Sequence, residues 1–151
     1  LLPVEDISHP DYDDRVEDLV SQLYASDRLT PSLAVRALCM GFLNLFEAIL
    51  ARMADVPRAN ARILIMGGND GFQALYKAAH MPDGFVDGVG VILSISLRLT
   101  KYGHEKPVDF RKQLVENIYV KGYNRTVDGM SYLLSIIDGT VGNNVPASTV
   151  H

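Results

Sequence analysis

The chain has 151 residues, a length that suits one domain with one core. Its composition, 48% hydrophobic and 21% charged, is that of an ordinary folded globule and excludes a disordered or fibrous protein. The formal net charge of -4 argues against nucleic-acid binding, which needs clustered Lys and Arg to displace counterions from phosphates.

The first half of the chain is predicted to form amphipathic helices. Apolar residues recur every three or four positions in DDRVEDLVSQLYASD, which indicates a helix with one buried face. The next segment starts with Thr30 as an N-cap and Pro31 at the first helical position, where a missing N–H costs nothing. Gly41 either divides this segment into two helices or lets another helix approach closely. A further helix is expected to start at Asp55, which precedes a proline in a first turn.

The stretch ILIMGGNDGFQA supports two interpretations: a nucleotide-binding loop after a strand, or a tight turn between two helices. A dinucleotide-binding loop needs G-x-G-x-x-G, and a Walker loop needs Lys followed by Ser or Thr after the glycines. The spacing of Gly67, Gly68 and Gly71 matches neither pattern. The helical turn is therefore favoured, with a left-handed glycine after the first helix and Asp70 as the cap of the next.

The second half is also predicted to be helical. Residues 85–102 alternate like a strand and also form a helical stripe, and a length of about eighteen residues favours the helix. Further apolar stripes follow in PVDFRKQLVENIYVKGY and NRTVDGMSYLLSIID. The sequence therefore predicts an all-α fold, an irregular bundle of about eight short helices that are partly stacked as helical hairpins. A single helical domain is expected over 1–138, followed by a poorly ordered C-terminal tail over 139–151.

Residue patterns that indicate reactive chemistry are few. The single cysteine, Cys39, lies between apolar neighbours, so we expect a buried thiol and not a nucleophile. The four histidines form no H-x-x-x-H pair, so no metal site and no cofactor are predicted. Glu47 lies among apolar residues, where a structural salt bridge with Arg36 or Arg52 is expected. No nucleophile elbow or carboxylate pair is visible, so we expect a protein that is not an enzyme.

One candidate contact for a ligand or a partner combines basic residues with the glycine turn. Arg58 and Arg62 are four residues apart and share a helix face, and we group them with Gly67, Gly68 and Lys77. Free backbone N–H groups after the glycines could receive an anion, although the acidic residue that follows would repel it.

Four motifs follow one another in the central part of the chain: an L-T-P start, an F-E-A-x-L-A helix, an N-A-R-x-L-I helix and a G-F-x-A-L-Y-x-x-A-x-x-P helix. They lie at Leu29 to Pro31, Phe46 to Ala51, Asn60 to Ile65 and Gly71 to Pro82. This central third of the chain resembles the alphaproteobacterial family called domain of unknown function 2336. The resemblance implies an all-helical bacterial protein without a settled activity, so it carries over no catalytic residue.

The leading hypothesis is a cytoplasmic, non-enzymatic protein-interaction or regulatory module that binds a protein partner or itself through apolar helix faces. We expect a homodimer and no nucleic acid. We also expect no membrane span, because the longest apolar stretch, FVDGVGVILSISLRL, is about five residues too short to cross a bilayer. The alternative is a small-molecule or nucleotide sensor that binds an anionic ligand near the Gly67-Gly68 turn. An enzyme whose site is assembled from distant residues is a third hypothesis.

Overall fold

The structure, a computed structural model, describes residues 12–100 and 107–139. Within these ranges the chain forms nine α-helices, one short 3-10 helix and no strand, which confirms the predicted all-α bundle. The α-helices are α1 (Tyr12–Ala25), α2 (Pro31–Cys39), α3 (Leu43–Ala54), α4 (Arg58–Met66), α5 (Asn69–Ala78), α6 (Val86–Thr100), α7 (Phe110–Val120), α8 (Tyr123–Thr126) and α9 (Met130–Asp138). The 3-10 helix spans Asp83–Phe85. The expected domain over 1–138 and tail over 139–151 stay predictions, because both include residues outside the described ranges.

Local signals explain several helix boundaries. Thr30 is the N-cap of α2 as predicted, and its hydroxyl oxygen accepts a hydrogen bond from the Leu33 N–H at 3.2 Å. Gly41, at φ +85°, separates α2 from α3, so the predicted segment is two helices. The ambiguous segment 85–102 is helical over its described part, because its helical stripe is the one that the core buries along α6.

Six of the described helices end at a residue in the left-handed conformation, and four of these residues share one hydrogen-bond pattern. These residues, Asp27, Gly41, Asp55 and His80, have φ values of 61°, 85°, 58° and 60°. The backbone N–H that follows each of them donates to a carbonyl five residues earlier, which is the Schellman pattern. Asp55 therefore ends α3, and the prediction that it starts a helix is wrong. The N-cap of α4 is Pro57.

The hairpin of α2 and α3 is followed by a second hairpin of α4 and α5 with a related sequence. A shift of 26 residues aligns α2 with α4 and α3 with α5, and seven aligned positions are identical. The identical pairs are Pro31/Pro57, Arg36/Arg62, Leu38/Leu64, Met40/Met66, Gly41/Gly67, Phe46/Phe72 and Ala48/Ala74. The stacked hairpins expected from the sequence are thus two copies of one helical unit, called here the first unit (α2 and α3) and the second unit (α4 and α5).

Helix α3 lies at the centre of the fold. It packs against α1, α2, α4 and α5, and every side chain of residues 46–51 is buried. A helix that is buried on all sides needs apolar residues around its whole circumference, and in this run Glu47 is the exception. Helices α6, α7 and α9 extend the same core on the other side of α2 and α5.

Cys39 provides a direct test of this core. Its side chain is 1% exposed, as the sequence predicts, and burial raises the pKa of the thiol to about 12. The thiol of the folded protein is therefore protonated at neutral pH, and a thiolate-selective reagent has little to react with. At pH 8 we expect Ellman's reagent to label the native protein about a thousand-fold more slowly than the urea-unfolded chain. Similar rates in the two states would contradict the burial of Cys39.

Candidate functional site

The two predicted arginines meet at one buried carboxylate. Glu47 is 0% exposed, and its Oε1 accepts a hydrogen bond from Arg58 Nε at 2.6 Å. Arg62 donates to both oxygens, from Nε to Oε2 at 2.8 Å and from Nη2 to Oε1 at 3.0 Å. Arg58 Nη1 also donates to Glu17 of α1 at 3.0 Å. The four side chains, called here the Glu47 cluster, join α1, α3 and α4.

The salt bridge predicted at Glu47 is therefore present, and its partners include Arg58 and Arg62, which the sequence did not suggest. Arg52 instead lies over the ring of Tyr24, with 4.6 Å between its guanidinium carbon and the ring centroid. Arg58 and Arg62 reach Glu47 because α4 folds back against α3. A ligand anion at these arginines would compete with a carboxylate that is buried and already hydrogen-bonded.

The glycine turn joins α4 to α5, as the helical interpretation predicts, but the expected left-handed glycine is wrong because Gly67, the residue after α4, has φ -84° and ψ 6°. Gly68 has φ +97° and ψ -173°, a backbone region that is essentially restricted to glycine. Gly71 lies against α4, where an added Cβ would be 2.6 Å from the carbonyl oxygen of Leu64. Gly68 is the N-cap of α5, and Asp70 lies in the first turn of that helix. The prediction that Asp70 caps the helix is therefore wrong.

The residues predicted as one ligand contact occupy three places. Arg58 and Arg62 meet at the Glu47 cluster, whereas Gly67 and Gly68 form the turn after α4. Lys77 is exposed in the last turn of α5, about 12 Å along the helix from its first residue at 1.5 Å per residue. The structure brings the arginines together and places Lys77 away from the turn.

An apolar groove lies between α2, α9 and the segment that joins α5 to α6. It has a volume of about 240 Å³. This groove, called here the α2–α9 groove, is lined chiefly by Val35, Tyr76, Phe85, Tyr132, Leu133 and Ile136. The rings of Phe85 and Tyr132 pack at 5.2 Å between centroids and 41° between planes.

One of the two tyrosine hydroxyls that line this groove is satisfied internally. The hydroxyl of Tyr76 donates a hydrogen bond to the Pro82 carbonyl at 2.5 Å. Burial, with a smaller contribution from the charge of Asp83, raises the pKa of Tyr76 well above its ordinary value. The hydroxyl therefore stays protonated and bound to the backbone, and the groove presents mainly carbon atoms.

A second recess, of about 530 Å³, is wider and more open. It lies near the ends of α1, α3 and α5, and its lining includes Tyr24, Met53, Asp27 and His80. The last two are the left-handed residues that end α1 and α5. Within the described part of the chain, no group of three or more His, Cys, Asp or Glu side chains could hold a metal ion.

The α2–α9 groove could not be predicted from the sequence. Its walls come from three segments that are far apart in sequence, and each contributes residues of an ordinary amphipathic stripe. The sequence signal for the groove is the aromatic residues in these stripes, Phe85 and Tyr132, which the structure shows to be only partly buried. That signal alone does not distinguish a groove from a core.

Together, the helices and the groove define an all-helical protein with a tandem hairpin at its centre and an apolar groove beside it. The chain belongs to the family described as "Uncharacterised protein conserved in bacteria (DUF2336)", whose model matches residues 3–126. The resemblance is thereby confirmed and extends from the central third to most of the chain. No curated protein and no solved structure matches the chain. Among the described helices, none is long and apolar enough to cross a membrane.

Proposed function

We propose that the protein is a non-enzymatic interaction module that binds an amphipathic helix of a protein partner in the α2–α9 groove. The supporting observation is the size and chemistry of the groove. Small-molecule sites usually have volumes of about 300–1,000 Å³ and several convergent polar groups. This groove is smaller, at about 240 Å³, and the hydroxyl of Tyr76, one of its two tyrosines, is bound to the backbone. Such a recess suits apolar anchors projected by a helix.

The test uses the whole chain as bait, with a variant of the groove and a matched control. Ile136→Glu places a charge in the groove wall at a partly exposed position. Val120→Glu places the same charge on α7, where the side chain is 83% exposed. We expect a protein from lysate of the source bacterium to bind the wild type and Val120→Glu, and to be lost with Ile136→Glu.

The identified protein is then purified and added to the wild-type chain. Hydrogen exchange should slow in α2 and α9, the two helices that line the groove. Proteins that bind Ile136→Glu as well as the wild type would count against the groove as the docking site. Circular dichroism of each variant checks that the helical content is unchanged.

We also propose that the module acts in the cytoplasm of an alphaproteobacterium, associates as a homodimer and binds no nucleic acid. The family match supports a bacterial origin. The net charge of -4 supports a protein partner over a nucleic acid.

An anion sensor at the Gly67-Gly68 turn is the second candidate. This candidate is supported by Arg62, whose side chain is 46% exposed and which lies close to the turn in sequence. The engagement of both arginines by Glu47 weakens it. If the protein is such a sensor, inorganic phosphate or a nucleotide should raise the melting temperature of the wild type and not of Arg62→Ala. A flat response across nucleotides and cyclic dinucleotides would remove this candidate.

A further inference from the structure

We infer that the helix received by the α2–α9 groove is α4 of a second copy of this chain, an assignment that rests on the proposed function. Helix α4 carries an exposed apolar stripe, made of Ala59, Ile63 and Met66. Ile63 is 69% exposed and Met66 is 55% exposed. Ile63 and Met66 are the one pair of exposed large apolar side chains in the described ranges that lie three or four residues apart on a helix.

The tandem repeat indicates what kind of element covers such a stripe. Ile63 of the second unit aligns with Ala37 of the first, which is only 3% exposed. Helix α2 packs against α3, α6 and α9, whereas α4 packs against α3 and α5. A position that is buried in the first unit is therefore open in the second, where it carries a larger apolar side chain. Helices bury this position in the first unit, so a helical surface is the fitting cover for Ile63 in the second.

The α4 stripe and the α2–α9 groove are complementary in chemistry. Helices that bind grooves present apolar anchors at spacings of three and four residues, and Ile63 and Met66 have this spacing. The groove offers apolar walls from Val35, Leu133 and Ile136. One surface has exposed anchors and the other has an unfilled recess, and both belong to the same chain.

Charges around the two surfaces favour one orientation. Helix α4 contains two arginines and no acidic residue. On the loop side of the groove, Asp83 acts electrostatically on Tyr76, and Asp87 is exposed nearby in sequence. On the other side, Arg36 acts electrostatically on Tyr132. Both arginines donate to Glu47, but Arg62 stays 46% exposed, so a docked α4 gains by turning this side of the helix towards the acidic loop and away from Arg36.

The contact joins two different surfaces, so each copy supplies one stripe and one groove. Two copies that exchange both contacts close as a two-fold dimer. The pairing can be tested by sedimentation velocity on the full chain with Ile63→Glu, which removes the stripe, and Ile136→Glu, which removes the groove. We expect the wild type and the control Val120→Glu to have twice the mass of one chain, and each of the two other variants to have the mass of one chain.

Mixing provides the decisive measurement. An equimolar mixture of Ile63→Glu and Ile136→Glu retains one intact groove and one intact stripe, so we expect a one-to-one complex. Its formation would also show that both variants are folded. A mixture that stays monomeric while the wild type is dimeric would overturn the assignment of α4 to the groove. A monomeric wild type would overturn it as well and would leave the groove open to another helix, so the proposed function would then be judged by loss of a different lysate protein with Ile136→Glu.

Discussion

Replacing Glu47 with glutamine should lower the free energy of unfolding by about 3 kcal/mol. The substitution removes the negative charge that two guanidinium groups share, while it preserves the shape of the side chain. Arg58 is only 17% exposed, so its charge stays largely buried without its main partner. Arg62, at 46% exposed, can recover part of its hydration, which keeps the expected loss near the lower end of the range for broken buried pairs. Urea unfolding measures the change.

Two variants in the same cluster calibrate this result. Glu17→Gln removes a carboxylate that is 53% exposed and contacts the same Arg58, so we expect a loss below about 1 kcal/mol. The double variant Glu47→Met with Arg58→Met removes both charges, and we expect it to be more stable than Glu47→Gln. A loss for Glu47→Gln no larger than that for Glu17→Gln would show that the Glu47 cluster does not hold α3 and α4 together.

The helices themselves could be predicted because their signals are local. Thr30 and Pro31 mark the start of α2, and the apolar period of α1 needs no tertiary information. The helix boundaries that were predicted wrongly lie at aspartates, because aspartate suits both an N-cap and a left-handed helix end. Asp55 has the second role, and Asp70 has neither. Only the packing of the neighbouring helices selects among these roles.

The pairing at Glu47 and the α2–α9 groove depend on tertiary structure. Arg52 is closer to Glu47 in sequence and Arg36 is as far from it as Arg58, but the left-handed turn after α3 brings α4 back across Glu47. The repeat was missed for a related reason: its seven identities are spread over two helices and become visible once the helix registers are known. Grooves between helices leave no periodic signal, because their walls have the same apolar spacing as a core.

The largest effect expected at the turn between α4 and α5 comes from alanine at Gly71, which should lower the free energy of unfolding by about 2 kcal/mol. The added Cβ would lie 2.6 Å from the carbonyl oxygen of Leu64 and 3.3 Å from its Cα. These are backbone atoms, which cannot rotate away, so α4 and α5 must separate and loosen the packing of Phe72. Helix propensity favours alanine over glycine by about 1 kcal/mol, so a net loss in urea unfolding would come from the clash.

The control is Gly84→Ala, where an added Cβ meets nothing within 4 Å and we expect a change within about 0.5 kcal/mol. Gly68→Ala should also lose stability, because its φ of +97° disfavours any side chain. A nucleotide-binding loop predicts a different result: Gly71→Ala would leave the stability of the ligand-free protein unchanged and would abolish stabilisation by nucleotide. The same three variants therefore decide whether the glycines of ILIMGGNDGFQA serve the contact between two helices or a phosphate.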